Sequence, residues 1–164
     1  MNSFLISLLV HNHFGVLTRV TALFSRRGYN IASLSVGETA VPEYSRITVE
    51  TRTDGAAVRQ IIKQLQKLED VRAVTLLPGA ESIVRELLIV KLVVTPSRRG
   101  PLREALGEFA YATPYDVENR LVLEYTGSPE QCERFLEILS DYTILELCRT
   151  GITALSTTEE LSMQ

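Results

Sequence analysis

Hydrophobic periodicity divides this chain into two halves that repeat one order of strands and helices. In the first half, alternating apolar residues predict a strand, and apolar residues spaced three and four apart predict the amphipathic helix that follows it. Two strands, a second helix and a last strand complete the order βαββαβ. These six elements are predicted at 4–10, 16–27, 31–39, 45–52, 54–68 and 71–77.

The second half repeats this order after a linker at 78–82 that contains proline and glycine. Ser128 followed by Pro129 is typical of a helix start and predicts where its second helix begins. The predicted fold class is therefore α+β, with two ferredoxin-like βαββαβ domains in tandem at 1–78 and 83–164. The elements of the second half are predicted at 87–95, 101–111, 115–117, 121–125, 128–139 and 144–149, and 151–155 is expected to extend the last strand.

Composition limits the classes of protein and partner. Of the 164 residues 45% are apolar, which is enough for a folded core and argues against disorder. A net charge of −3 disfavours sequence-independent binding to nucleic acid. No apolar run approaches the roughly 20 residues that span a bilayer, and no signal peptide is recognised. We therefore expect a cytoplasmic protein that binds neither nucleic acid nor a membrane.

The cysteine content indicates a reduced protein without a zinc site. Cys132 and Cys148 lack CxxC spacing, and there are no further cysteines to complete a set of metal ligands. Both are expected to be reduced thiols in the core. Because each predicted half is small for an independent hydrophobic core, association between halves or between chains is expected.

The loop before the first helix has the features of a binding site for a small carboxylate. Gly15 lies where a strand turns into a helix, so main-chain N–H groups can approach an anion closely. Asn12 can both donate and accept hydrogen bonds, which suits a zwitterion. Asn30 follows the other end of this helix, about 18 Å away at 1.5 Å per residue. If both asparagines contact one ligand, the second must come from a symmetry-related chain.

Several ordered motifs then resemble the regulatory, or small, subunit of acetolactate synthase, which is also called acetohydroxyacid synthase. The resemblance spans nearly the whole chain, and the set of motifs is more specific than a single N-x-x-G-V-L pattern. The matching residues are Asn12-x-x-Gly15-Val16-Leu17, Leu23-Phe24-Ser25-Arg26-Arg27-Gly28-Tyr29-Asn30-Ile31, Ser45-Arg46-Ile47-Thr48, Lys63-Gln64-Leu65-x-Lys67-Leu68, Arg85-Glu86-Leu87-x-x-x-Lys91 and Glu146-Leu147-x-Arg149-Thr150-Gly151.

That resemblance implies an ACT domain at the amino terminus that dimerises side by side and binds valine or a related branched-chain amino acid. It also implies a partner, the catalytic large subunit, which carries thiamine diphosphate, magnesium and FAD and condenses 2-oxo acids in branched-chain amino-acid biosynthesis. This chain would hold no cofactor; it would raise the partner's activity and confer feedback inhibition. The implied ligand contacts are Asn12, Gly15, Val16 and Leu17 from one chain and Asn30 and Ile31 from the other.

The loop departs from the family pattern at a few positions. Phe14 stands where the family commonly has proline, and His11 and His13 flank Asn12 where an acidic residue is usual. Ala32 and the turn at 40–42 likewise replace acidic or polar residues. The asparagines and the glycine that are implied to contact the ligand are present.

Other functions have few candidate residues. The string His11-Asn12-His13 matches a nuclease motif only by name, and two histidines in one loop supply neither a catalytic triad nor a complete metal site. The phosphate-binding loops G-x-x-x-x-G-K-S/T and G-x-G-x-x-G are missing. Three classes remain: a non-catalytic regulatory subunit, which is favoured, a free-standing ACT amino-acid sensor that regulates another enzyme, and a scaffold whose ligand site has decayed.

Overall fold

The computed structural model describes residues 2–158, which form two compact units. Of these residues, the first unit contains 2–83 and 151–158, and the second contains 84–150. Residues 151–158 therefore group with the first unit, whereas the sequence predicted that they belong to the second domain at 83–164.

The first unit has the predicted order of elements. Its four strands form an antiparallel sheet in the order β2-β3-β1-β4, with the two central strands paired over ten residues, and helices follow the first and third strands. This confirms the ferredoxin-like βαββαβ arrangement. The elements are β1 (Asn2–His11), α1 (Val16–Arg26), β2 (Ile31–Glu38), β3 (Tyr44–Thr53), α2 (Gly55–Leu65) and β4 (Val71–Leu77).

Local signals in the sequence explain where the two helices begin and end. Asp54, at the predicted start of the second helix, caps α2, since its carboxylate accepts from the N–H groups of Ala56 and Ala57 at 2.8 and 2.7 Å. Gly28 follows the C-cap of α1 with φ 68°, a left-handed conformation that ends a helix. Both helices place an apolar stripe on the sheet. The buried core includes Ile6, Leu8, Val20, Phe24, Ile47, Val49, Val58 and Ile61.

The end of the described chain lies against the sheet of the first unit. The short strand β9 (Thr153–Ser156) pairs with β5 (Ser82–Val93) and also lies close to β1 and β4. Just before it, the Ile152 N–H donates to Ser33 Oγ and the Ile152 carbonyl accepts from Ser35 Oγ, both at 2.6 Å. The prediction that 151–155 extends the preceding strand is confirmed in part: β9 is a separate strand after a break at 150–152, and it pairs with the same strand as the one before it.

The second unit repeats the topology of the first. Its antiparallel sheet has the order β6-β7-β5-β8, and one helix follows β5 while another follows β7. A 3-10 turn at Gly79–Glu81 precedes it. Its elements are β5 (Ser82–Val93), α3 (Pro96–Ala105), β6 (Tyr111–Val117), β7 (Arg120–Gly127), α4 (Pro129–Leu139) and β8 (Thr143–Arg149).

The bounds of α3 correct the predicted helix at 101–111. Pro96 directly follows the N-cap Thr95, so the helix begins five residues earlier with a proline whose missing N–H is not needed there. Pro101 consequently lies inside the helix, which ends at Ala105. The residues after it, predicted to be helical, lead into β6, which begins at Tyr111 and is longer than expected.

The capping prediction for α4 is confirmed. Ser128 Oγ accepts from the Gln131 N–H, and the Gln131 side chain accepts from the Ser128 N–H at 2.9 Å, which completes a capping box. The core beneath this helix is aromatic, with the Phe135 ring stacked 4.6 Å from that of Tyr125. Burial raises the pKa of the Tyr125 hydroxyl above its ordinary value.

The two cysteines lie in different surroundings. Cys132, on the buried face of α4, lies in the core as predicted, and burial raises the pKa of its thiol. Cys148 is exposed on the edge strand β8, so the prediction of a core thiol is wrong there. Beside it, Arg149 donates to the buried Glu86 and to Glu133, and the hydrogen bond to Glu86 raises the pKa of the guanidinium. No helix within residues 2–158 is long and apolar enough to cross a membrane.

Candidate functional site

The loop between β1 and α1 turns at a glycine with a positive φ. Gly15 has φ 89° and ψ −10° and is the N-cap of α1. For a residue with a Cβ atom this left-handed conformation costs roughly 1–2 kcal/mol, whereas glycine adopts it without strain. The turn brings Asn12 and Gly15 to the end of a helix that begins with Val16 and Leu17.

The N-terminus of α1 has no side-chain cap in the part of the chain that the structure describes. The first backbone bond of the helix runs from Arg19 N to Gly15 O at 3.1 Å. The N–H groups of Val16, Leu17 and Thr18 therefore precede the helical ladder, at the positive end of the helix dipole. Because the first turn also carries no acidic side chain, this helix end is a favourable position for a carboxylate.

Asn12 is held by the hairpin that joins β2 to β3. Its backbone N–H donates to Glu43 O at 2.7 Å, and its side-chain Nδ2 donates to Glu38 Oε1 at 3.1 Å and to Pro42 O at 3.0 Å. Both amide hydrogens of the side chain are therefore used within the chain. What Asn12 offers a ligand in this arrangement is the acceptor Oδ1, which suits an ammonium group.

Asp70 braces the same loop from the turn before β4. Its carboxylate contacts His13 Nε2 at 3.0 Å and Arg19 Nε at 2.7 Å, and its backbone carbonyl accepts from the His11 N–H at 2.9 Å. His13 is therefore a partner of Asp70 and not a solitary loop histidine. Within residues 2–158, no group of three or more His, Cys, Asp and Glu side chains is placed to hold a metal ion.

Asp70 and Glu38 are site residues that the sequence reasoning missed. A signal for Asp70 was available, because the βαββαβ order pairs β1 with β4 antiparallel, and the register joins Val10 to Val71. The residue before β4 must then lie beside the end of β1. For Glu38 the signal is weaker, since its contact with Asn12 depends on how the hairpin folds over the loop.

Asn30 and Ile31 lie at the other end of α1. The helix has 11 residues, so roughly 16 Å of helix separates them from the Gly15 loop. Asn30 is exposed, and its backbone carbonyl accepts from Thr51 Oγ1 at 2.9 Å. Ile31 begins β2, an edge strand of its sheet. The chain thus brings together Asn12, Gly15, Val16 and Leu17, and it places Asn30 and Ile31 elsewhere.

Exposed apolar side chains surround these two regions. Phe14, directly before the glycine turn, is fully exposed, and Leu17 on the first turn of α1 is 41% exposed. Val36 on the edge strand β2 is 48% exposed, whereas Val16 is buried in the core. Large exposed apolar residues beside open backbone donors are typical of a site that is completed by another molecule.

Two family models match consecutive parts of the chain. Residues 6–73 match an AHAS small subunit-like ACT domain, and residues 85–158 match the small subunit of acetolactate synthase. An acetolactate synthase small subunit from Mycolicibacterium smegmatis is 39% identical over 152 residues, which cover 92% of this chain and 89% of that protein. The chain belongs to the acetolactate synthase small-subunit family.

Further relatives support this assignment to the small-subunit family. The acetolactate synthase small subunit of Bacillus subtilis is 38% identical, over 92% of this chain and 88% of the relative. The crystal structure of the small subunit from Thermotoga maritima superposes with a TM-score of 0.88 at 31% identity, covering 95% of this chain and 98% of that one. The resemblance of the sequence motifs and the predicted fold class are thereby confirmed.

Proposed function

We propose that this small subunit binds the catalytic large subunit of acetolactate synthase, raises its activity and makes it sensitive to feedback inhibition by a branched-chain amino acid, with valine as the first candidate. Family membership supports the choice of the large subunit as the partner, since the relatives are named as small subunits of that enzyme. The uncapped helix end at Gly15 supports the binding of an amino-acid effector, and it is the main observation behind the proposal.

The ligand chemistry follows from the groups at that helix end. The carboxylate of the amino acid accepts from the N–H groups of Val16, Leu17 and Thr18, where the dipole adds roughly 0.3–1 kcal/mol. Its ammonium group meets the free acceptor Oδ1 of Asn12. Its branched side chain contacts Leu17, which is partly exposed in the single chain.

A second copy of the chain completes the pocket. The exposed Val36 on the edge strand β2 gives a second chain an apolar surface to cover, and an edge strand offers backbone groups for pairing. In a side-by-side homodimer, Asn30 and Ile31 of one chain then reach the Gly15 loop of the other. Each dimer has two such sites, related by its two-fold axis.

The chemistry of the reaction belongs to the partner in this proposal. The large subunit carries thiamine diphosphate, magnesium and FAD and condenses 2-oxo acids in branched-chain amino-acid biosynthesis. The small subunit favours the active state of the partner, and valine shifts that preference. By linkage, the change that valine causes in the free energy of binding between the two subunits equals the change that the large subunit causes in the free energy of valine binding. Such coupling is typically about 1–3 kcal/mol.

The substitution Asn30→Ala tests the proposed site. It removes a side chain that has no hydrogen-bond partner within residues 2–158, so folding is unaffected and activation of the large subunit persists. Valine inhibition of the reconstituted enzyme is expected to disappear. The control Asn119→Ala changes an exposed asparagine in the turn between β6 and β7 and leaves inhibition unchanged. Inhibition that survives Asn30→Ala contradicts the proposed site.

Mixing two variants tests whether two chains share the site. Asn12→Ala and Asn30→Ala proteins each lack every complete site when assayed alone. In a mixed dimer the intact Asn12 of one chain meets the intact Asn30 of the other, so about a quarter of all sites are restored at equal mixing. Partial recovery of valine binding by calorimetry is expected. If mixing restores no binding, the site lies within one chain.

A further inference from the structure

Arg46 is a partly buried cation that has no acidic partner in the described part of the chain. It lies on β3, opposite Leu9 of β1 and Gly37 of β2, on the sheet face away from the helices. Its Nη1 donates to the buried Ser7 Oγ at 3.1 Å, and within residues 2–158 no carboxylate forms an ion pair with it. A guanidinium carries five N–H donors, so most of them are left for another group.

An open cavity of about 380 Å³ lies at this guanidinium, within the first unit. Hydroxyl groups of Ser35, Thr48 and Thr153 line it together with Arg46. Gly37 leaves the space above Arg46 open, because no atom lies within 4 Å of where its Cβ would be. The volume is within the range of small-molecule sites, roughly 300–1,000 Å³.

The chemistry of the lining favours a small anion with one charge. A partly buried cation is costly without a counter-charge, and a guanidinium matches a carboxylate with two parallel hydrogen bonds. The hydroxyls of Thr48 and Thr153 can rotate towards a carboxylate oxygen. Glu38 also lines the cavity, and its negative charge repels a doubly charged anion such as sulfate about twice as strongly as a singly charged carboxylate. Val36 and Ala40 supply apolar contacts for a short carbon chain.

We propose that this cavity is a second ligand site, which binds a small monocarboxylate through Arg46. It differs from the loop site, because Asn12, Gly15–Leu17, Asn30 and Ile31 do not line it; the two share only Glu38, which accepts from Asn12 Nδ2 and also lines the cavity. The proposal therefore does not depend on feedback by valine. The carboxylate is supplied by a 2-oxo acid or by an amino acid, which share this group.

The test follows the Arg46 Nε–Hε resonance of the full chain by NMR. The resonance is assigned by its disappearance in Arg46→Lys, which keeps the charge but lacks this group. Sodium pyruvate and valine are titrated separately, with sodium sulfate and sodium chloride as controls at equal ionic strength. A saturable shift with pyruvate identifies a 2-oxo acid site, one with valine identifies an amino-acid site, and either supports the proposal.

Variants separate direct binding from indirect effects. Arg46→Gln is expected to weaken carboxylate binding about tenfold or more, measured by calorimetry. The matched control Arg52→Gln changes an exposed arginine on the same strand and face and leaves binding unchanged. Gly37→Val fills the cavity without removing a charge, and it is also expected to weaken binding.

Three outcomes would overturn the proposal. One is an Arg46 resonance in the wild-type protein that shifts with neither carboxylate. Another is a shift with sulfate as large as that with the carboxylates, which would indicate a general anion effect. The third is a valine shift that vanishes in Asn30→Ala while pyruvate gives none, because that shift would be transmitted from the loop site. Continued valine inhibition in Asn30→Ala would refute the proposed function alone and leave the pyruvate result standing.

Discussion

The two units share one topology but differ at the corner where the first helix of each begins. In the first unit this corner is the Gly15 turn, with a positive φ and a helix end that carries no side-chain cap. In the second unit the corner is Thr95 followed by Pro96, so one of the N–H groups of the first turn is absent. Equivalent positions in one repeated fold thus offer different numbers of backbone donors.

In the second unit, side chains also form hydrogen bonds around the start of the helix. Arg99, on the first turn of α3, donates to Asp116 and to the carbonyl of Glu118, so the residues around this helix start are joined by an ion pair. In the first unit the charged groups Asp70 and Arg19 brace the loop from the side and leave the helix end open. The fold provides the corner twice, and only a few residues determine whether it can receive a carboxylate.

The largest predicted effect tests whether the two units are independent. Phe24 in the first core and Phe135 in the second are almost completely buried, so truncating either to alanine is expected to destabilise its unit by about 3–5 kcal/mol. Hydrogen exchange read by mass spectrometry should show faster exchange in β1 and β3 for Phe24→Ala, and in β5 and β7 for Phe135→Ala. Equal loss of protection in both units for either variant would show that they unfold together.

Much of this comparison was predictable from the sequence. The spacing of apolar residues predicted the order βαββαβ in both units, and the residues at 54 and 128 marked the starts of two helices. These signals are local in the sequence. The bounds of α3 were wrong because two prolines compete as its first residue, and sequence alone does not decide between Pro96 and Pro101. The return of the chain after Gly151 was missed because its partners on β2 are more than 100 residues away.

The loop site was predictable only in part, because some of its contacts join residues that are far apart in the sequence. Gly15 at the turn from strand to helix predicted the loop, and the length of the helix separated Asn12 from Asn30. Asp70 and Glu38 contact the loop only through tertiary structure, at separations that no local pattern encodes. The cavity at Arg46 was not predicted either, since it depends on Thr153 reaching the first sheet.

The next effect tests where the first unit ends. A Cβ atom on Gly151 would overlap the backbone carbonyl of Leu34, so Gly151→Ala forces the returning segment away from β2. We expect a loss of about 1–3 kcal/mol, the usual range for overpacking, with faster exchange at Ile152 and in β2. Gly79→Ala is the control, because its Cβ would have no neighbour within 4 Å. Unchanged protection of β2 in Gly151→Ala would show that the segment is not bound there.

A pair of glycine substitutions sharpens the contrast between the two corners. Gly15→Ala places a Cβ atom at φ 89° and should cost roughly 1–2 kcal/mol, and it should also weaken valine binding by altering the loop. Gly100→Ala, inside α3, meets no atom within 4 Å and should stabilise by about 0.5–1 kcal/mol. Urea unfolding measures both. Equal signs for the two variants would contradict the assignment of a strained turn to the first corner alone.

The smallest effect concerns charge on the two sheets. In the second unit Lys91 donates to Glu146, and this hydrogen bond lowers the pKa of the exposed carboxyl below its ordinary value. A lowered pKa means that the ionised group stabilises the fold at neutral pH, and that this contribution is lost as the pH falls through the lowered pKa. In the first unit Glu50 accepts from the Ser3 hydroxyl at 2.6 Å, and no Lys or Arg side chain within residues 2–158 forms an ion pair with it. Glu146→Gln should therefore slightly flatten the pH dependence of urea unfolding between neutral and acidic pH. Because Glu146 is exposed, the difference in pH dependence between Glu146→Gln and the unchanged protein should also shrink in high salt. If salt leaves that difference unchanged, the ion pair with Lys91 is not its cause.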